Sequence, residues 1–376
     1  MREGTTVVIN KAKGLRAALL MSCLIGGGAT AAMPTPLGLP RVEVSATPKD
    51  VALADLGCSL FFDKHLSVDN TISCGTCHLP ERGFTDGRRT AVGLHGRTLT
   101  RRTPSLLNVR YAQTLFWDGR ARDLPSQARA PLLAPAEHGL ADAEAVAANV
   151  RADSSYVQAF GILFGVAPEQ ISIAQVAAAL AAFERTLLAA DSPLDRYLYG
   201  GQADAMSPAA VRGLQLFRGR AQCATCHLIG ATSALFTDNE FHVSPIALPD
   251  GVLKQLGKLS ANVATLRARA DGSLDALIET DPQIAALGRF LVTLEPKDIG
   301  LFKTPSLRNI AVRAPYMHDG SIGSLPNAVD VELYSRSRRN YPLVLTEDER
   351  ADLLEFLNAL SSSSRTSVTS KSCNRS

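Results

Sequence analysis

Cys74, Cys77 and His78 stand in "SCGTCHLP", and Cys223, Cys226 and His227 stand in "AQCATCHLIG", so C-x-x-C-H occurs twice. The chain holds seven Cys and seven His in 376 residues, too few for two such pentapeptides to arise by accident. C-x-x-C-H is the attachment pattern of c-type haem: both thiols form thioethers to the porphyrin vinyls, and the adjacent imidazole becomes an axial iron ligand. Two intervening residues let both sulfurs reach one porphyrin edge, and the following His is carried beneath the iron. A structural zinc site is the competing reading of paired C-x-x-C. It explains neither the His that ends each pair nor the 149 positions between His78 and His227.

The whole chain bounds the rest. Its length suggests two domains, and 46% apolar composition supplies a core for both. A net charge of +3 gives no argument for nucleic acid. Lys11, Lys13 and Arg16, then an apolar run to Gly28, then small residues ending near Ala31 or Ala32, have the order of a secretory signal over residues 1–32. Cys23 after "LMS" would alternatively be a lipoprotein acceptor, although it interrupts the apolar run early. No other apolar stretch reaches spanning length. With four cysteines assigned to haem and Cys23 removed with the signal, only Cys58 and Cys373 are left. Cys58 sits on a helical apolar pattern and Cys373 in a Ser-rich tail, and no disulfide is expected between them.

The elements that must position the two motifs read as helices. Leu53, Leu56 and Leu60 share one face just before the first motif, and "SIAQVAAALAAFERTLLAA" predicts a helix of about five turns. Ser207 and Pro208 open a helix leading to the second motif, and Thr346 with Glu349 forms a capping box before "RADLLEFLNAL". No segment alternates convincingly as a strand. Between 103–134 and 304–335 a second echo appears at an offset of 201, with Thr, Pro, Ser, Leu, Asn, Asp and Gly recurring in register. Each half therefore runs haem motif, spacer, TPSL-x-N, then a turn ending in Asp-Gly. The expected fold is all-α, two cytochrome c-like haem domains related by internal duplication. Residues 33–190 form the first, 191–206 a linker and 207–360 the second, with a disordered tail over 361–376. The insert 246–290, ahead of the second TPSL, has helical periodicity and no assigned role.

Two C-x-x-C-H motifs on a repeated helical unit, with "FWDGR", "FTDNEFH" and "FKTPSLRNIAVRAPYMHDGS", resemble the bacterial dihaem cytochrome c peroxidase family, which includes MauG. The likeness runs over about residues 50–360. It implies a peroxidatic haem held by Cys74, Cys77 and His78, and an electron-transfer haem held by Cys223, Cys226 and His227. In such proteins a Trp lies between the haems, with a Gln and a Glu ten and twenty residues later in the peroxide pocket. Counting here yields Trp117, Gln127 and Glu137. Glu137 would be the acid/base that moves a proton between the peroxide oxygens, its pKa raised by a low-dielectric pocket; its bland reading is a loop carboxylate. Gln127 would orient peroxide through its amide, and its bland reading is a surface helix residue. Trp117, the only Trp in the chain, serves equally as a core anchor.

The resemblance also supplies candidate axial ligands. His95, between Gly93 and Gly96, occupies the loop where some relatives carry a His that ligates the first iron at rest; otherwise it is an exposed loop residue. For the second haem the candidates are Tyr334, the MauG-like choice, and Met317 in "PYMHDG". His65 and His242 read as ordinary histidines, and His138 has no assigned role. Calcium, which relatives often hold between the domains, is disfavoured here because Arg102 takes the place of an Asn ligand and Arg313 lies near the second contact.

Three functions compete. The first is an exported, periplasmic peroxidase reducing hydrogen peroxide with electrons from a small cytochrome c or cupredoxin. The second is a MauG-like enzyme that uses peroxide-derived high-valent iron to oxidise residues of a partner protein, a reading that Tyr334 as ligand favours. The third is a dihaem electron carrier, which would need neither Gln127 nor Glu137.

Overall fold

The computed structural model describes residues 36–41, 47–246, 248–269, 272–337, 343–362 and 373. The expected signal, residues 1–32, and most of the tail lie outside the described residues. Among the described residues, fourteen α-helices and one small sheet are present. The first part holds α1 (Pro48–Phe62), the single turn α2 (Cys74–Cys77), α3 (Leu124–Leu133), α4 (Ala143–Arg151), α5 (Ser154–Phe164) and α6 (Ile173–Glu184). After α7 (Pro193–Tyr199) and α8 (Pro208–Arg218) come four helices of the insert region: α9 (Val252–Arg269), α10 (Ser273–Thr280), α11 (Pro282–Ala285) and α12 (Phe290–Thr293). The chain closes with α13 (Leu325–Arg336) and α14 (Glu347–Asn358). Among the described residues no helix is long and apolar enough to cross a membrane.

Local signals place several of these helices. Thr47 and Asp50 form a reciprocal capping box that starts α1, with Pro48 in the first turn. Ser207 caps α8 ahead of Pro208, and Thr346 with Glu349 starts α14 as a capping box. Each motif-bearing segment then follows a helix that packs on a partner, α1 on α6 and α8 on α14. The close crossings need glycine: a Cβ on Gly57 would lie 1.9 Å from the Ala179 carbonyl oxygen, and one on Gly213 would lie 2.0 Å from that of Asp352.

The 201-residue offset recurs in backbone geometry. Leu115 bridges Ala121 and Tyr316 bridges Ile322. Positive φ angles recur at Asn108 and Asn309, Phe116 and Met317, Gly119 and Gly320. Separate cores flank the two motifs, one around Phe61, Leu132, Val176 and Leu180. The other gathers Leu214, Phe217, Phe236, Leu353 and Phe356. The insert carries a third, built on Val252, Val263, Ile284 and Leu287.

Four expectations change. Helix α6 ends at Glu184 rather than continuing to Ala190, because Asn108 takes the backbone that follows. The Asn108 amide N–H donates to the Leu187 carbonyl at 2.7 Å, and its side chain accepts from the Ala189 N–H at 2.9 Å. A two-stranded antiparallel sheet does exist: β1 (Phe241–Val243) pairs with β2 (Leu301–Lys303), too short to show alternation in sequence. The segment read as a linker contains α7, capped by Ser192, and its Leu194 and Met206 are buried in the second core. Cys58 and Cys373 are joined by a disulfide across 315 residues, and both are buried. Cys373 lies against α1, where the Ser59 hydroxyl donates to its carbonyl at 3.3 Å. That long-range approach leaves no mark in local sequence.

Candidate active site

One cavity of about 780 Å3 is lined by both C-x-x-C-H motifs. Cys74 and Cys77 lie on the single turn α2, which the Ser73–Thr76 pair opens, and His78 follows as its C-cap. The His78 Nδ1 is 2.9 Å from the Phe84 carbonyl, and the His227 Nδ1 is 2.9 Å from the Phe236 carbonyl. A carbonyl accepts, so each Nδ1 carries the proton and each Nε2 presents a lone pair. Burial keeps both imidazoles neutral: His78 is shifted below the usual histidine range and His227 down to about 4. The four motif cysteines form no disulfide, and burial pushes the Cys77 thiol up to about 12. Thiols at the cavity edge, unprotonated imidazole nitrogens and a largely apolar interior fit two covalently attached haems.

The counted residues meet in the same cavity. Trp117 lies between the halves: its Nε1 donates to the Arg102 carbonyl at 2.9 Å, and its carbonyl accepts from the Lys303 N–H at 2.9 Å. Gln127, on α3, lines the cavity, and its buried Oε1 has no hydrogen-bond partner. Glu137 lines it too, and burial raises its carboxyl above the usual range against the lowering pull of Arg120. His138 is buried, with Nδ1 2.7 Å from the Leu66 carbonyl and Nε2 4.0 Å from the Cys74 sulfur.

The candidate axial ligands separate. Tyr334 is 84% exposed and does not line the cavity. On α13 the residues Ala328, Val329 and Leu333 face the core, and one step of about 100° turns the next side chain outward. Tyr334 therefore lies away from the cavity that both motifs line. Met317, the runner-up, does line the cavity. His95 also stays outside it: its side chain is 77% exposed, with Nδ1 3.6 Å from the Asp69 carboxylate, beside a second cavity of about 410 Å3. His65 pairs with Asp63 at 2.8 Å outside the cavity, whereas His242, 2.7 Å from Asp238, lines it together with Cys226.

Arg102 and Arg313 meet as their sequence positions suggested, whereas Glu184, Glu279 and His318 were not legible in sequence. Arg102 and Arg313 are buried against one another, with the Arg102 Nη2 donating to the Arg313 carbonyl. Burial lowers them to about 10 and about 9. A cation held among oxygens there would face two guanidinium charges. Glu184, buried on α6, is pushed up to about 8 by burial and lies near Cys74. Glu279, from the insert, lines the cavity and is 8% exposed. The His318 ring stacks on Phe302 with centroids 3.8 Å apart.

Asp118 ties the Trp117 turn together. Its fully buried carboxylate pairs with Arg101 at 2.6 Å and Arg120 at 3.1 Å. Despite burial, those two guanidiniums hold it down to about 2. A depressed carboxylate adds stability above its unfolded pKa near 4, and that contribution is lost as pH falls through about 2. Acid titration of the holoprotein should therefore show a loss on the order of 2–3 kcal/mol between about pH 4 and pH 2, absent in Asp118→Asn. Equal acid slopes in the two proteins would reject this assignment.

A helix-rich chain that brings two C-x-x-C-H motifs into one cavity defines a dihaem c-type cytochrome. A profile described as di-haem cytochrome c peroxidase matches residues 51–203. The methylamine utilization protein MauG of Methylorubrum extorquens is 36% identical over 86% of this chain and 82% of its own length. Cytochrome-c peroxidase IdrP1 of a Pseudomonas species is 33% identical over 94% of both chains. A solved structure of a MauG-like protein associated with microbial copper homeostasis aligns with a TM-score of 0.67 at 31% identity, covering 89% of this chain and 95% of that one. The chain belongs to the di-haem cytochrome c peroxidase family. It is accordingly a peroxidase-class oxidoreductase with two covalently bound c-type haems.

Proposed function

We propose that this protein is an exported, periplasmic peroxidase that reduces hydrogen peroxide with electrons from a small cytochrome c or cupredoxin. The observation that carries this reading is Glu137 and the unpartnered Gln127 Oε1 lining one cavity with Cys74, Cys77 and His78. Cys74, Cys77 and His78 would hold the peroxidatic haem, and Cys223, Cys226 and His227 the electron-transfer haem. When bound, these groups supply the redox-active iron at which peroxide is cleaved and through which electrons arrive. Glu137 takes a proton from one peroxide oxygen and delivers it to the other, so that the O–O bond breaks with water as the leaving group. Gln127 holds the peroxide by its amide, and Trp117 spans the two halves as a relay. Overall, one peroxide, two electrons and two protons become two waters.

Two cytochrome c-like domains, residues 33–190 and 207–360, arose by internal duplication in this reading. Support comes from the shared 201-residue offset of bridges and positive-φ positions. Calcium stays disfavoured in it, since the Arg102 guanidinium donates to the Arg313 carbonyl at the junction.

Met317, which lines the cavity with Cys223, Cys226 and His227, would hold the iron of the second haem through its thioether sulfur. Met317→Ala should convert that haem from six-coordinate low-spin to high-spin in the optical spectrum, while Tyr334→Phe leaves the spectrum unchanged. The opposite pair of results would restore Tyr334. Oxidation of a partner protein's residues keeps the sequence relationship to MauG as its support, while the solvent-exposed Tyr334 adds none. Peroxide consumption with a reduced small cytochrome tests the main reading: rapid turnover supports it. No turnover, with two low-spin irons unreactive to peroxide even after partial reduction, would identify an electron carrier.

A further inference from the structure

The insert is fastened to the peroxide pocket. Thr100 donates to it twice, from its N–H to the Glu279 carbonyl at 3.1 Å and from its hydroxyl to the Ile278 carbonyl at 2.5 Å. Arg120 Nε reaches Asp275 at 3.1 Å, and the Arg101 Nη2 donates to the Ala285 carbonyl at 2.7 Å. These bonds set the C-terminal end of α10 against the loop carrying Glu137, where the Ala136 amide hydrogen-bonds the Glu279 carboxyl. The other carboxyl oxygen of Glu279, Oε2, is buried and has no partner. Asp275 lies four residues earlier on the same helix face, and its side chain is 54% exposed.

From this juxtaposition we infer that Glu279 is a positioning and proton-supply residue for the peroxide reaction: it shares one proton with Glu137 and refills Glu137 from solvent along the Asp275 face of α10. The inference rests on the peroxidase reading and deepens it. Reduction consumes two protons per peroxide, and the O–O bond breaks as two O–H bonds form, with both electrons coming from the redox donor. Glu137 shuttles a proton between the peroxide oxygens. The protons consumed must enter from outside, and Glu279, lining the same cavity as Glu137, is placed to carry them. The charged side chains facing Glu279 are Glu137 from the loop after α3, Arg120 from the turn after Trp117 and Asp275 from its own helix. Burial and the Glu137 charge push Glu279 up to about 8, so Glu279 holds its proton at neutral pH.

The test uses holoprotein, with peroxide cleavage followed by stopped flow from pH 5 to pH 9.5, together with infrared titration of protonated carboxyl bands. Wild-type protein should lose rate on an alkaline limb near pH 8. Glu279→Gln should be roughly 10-fold slower at pH 7 and lack that limb. Its infrared spectrum should lack one carboxyl band that titrates near 8 in the wild type, whereas Glu184→Gln should keep the limb. A Glu279→Gln protein with the limb intact overturns the inference, whether its rate is unchanged or uniformly reduced as a packing role would make it. If the wild type does not cleave peroxide, the peroxidase reading falls and the infrared titration decides alone. Loss of the band in Glu279→Gln then supports the shared proton, and its persistence overturns it.

Discussion

Glu137→Gln slows peroxide cleavage by about 10²- to 10⁴-fold, with both haems retained. The size follows from what the carboxylate does. Heterolysis needs a base for the proton on one peroxide oxygen and an acid for the other, and a single side chain serves both steps only if it can ionise. Gln matches Glu in shape, keeps a hydrogen-bonding oxygen and cannot take the proton. Burial raises the Glu137 carboxyl, and Arg120 pulls it back, so the base form appears only above the ordinary glutamate range. The wild-type rate should accordingly rise along an acid limb as pH increases, and Glu137→Gln should have no such limb. The check is stopped-flow kinetics from pH 4 to pH 8 with haem content measured on the same samples. A variant within threefold of the wild type at every pH would remove Glu137 from the reaction.

The largest stability effect is expected at Asp195→Asn, about 3–5 kcal/mol. Asp195 and Arg308 form an ion pair in which the side chains are 0% and 1% exposed. The guanidinium is otherwise met only by neutral groups: it donates to the Ala234 carbonyl from Nε at 2.9 Å and to the Gly38 carbonyl at 2.8 Å. Asp195 also accepts from the Ser192 hydroxyl at 2.8 Å, which caps α7. Neutralising the carboxylate leaves a buried cation without its counter-charge and loosens the helix cap together. Chemical denaturation of the holoprotein reads this directly. Removing both charges in Asp195→Leu with Arg308→Met should restore part of the loss, since desolvation of both ions is then avoided. A change below about 1 kcal/mol in Asp195→Asn would show that the pair is not buried in solution.

Arg308 sits in the second TPSL-x-N segment and Asp195 in a stretch whose turn residues read as a linker. Nothing local announces that they meet, because a buried ion pair across 113 positions depends on how α7 docks. The same limit explains Cys58 and Cys373, and the early end of α6 at the Asn108 contact. Capping was different: Thr47 with Asp50 and Thr346 with Glu349 act through neighbours within one turn, so the start of α14 was legible from residue order alone.

Haem attachment was settled by adjacency. The chemistry of C-x-x-C-H lies within five consecutive residues, and the spacing of Trp117, Gln127 and Glu137 travels with one short run of chain. Which side chains share a cavity is another matter, because helix phase and the approach of distant segments decide it. Phase turned Tyr334 to solvent, while the turn repeated from the first half brought Met317 inward. Docking of the insert set Glu279 beside Glu137, a juxtaposition made across 142 positions by Thr100, Arg101 and Arg120 rather than by any local pattern.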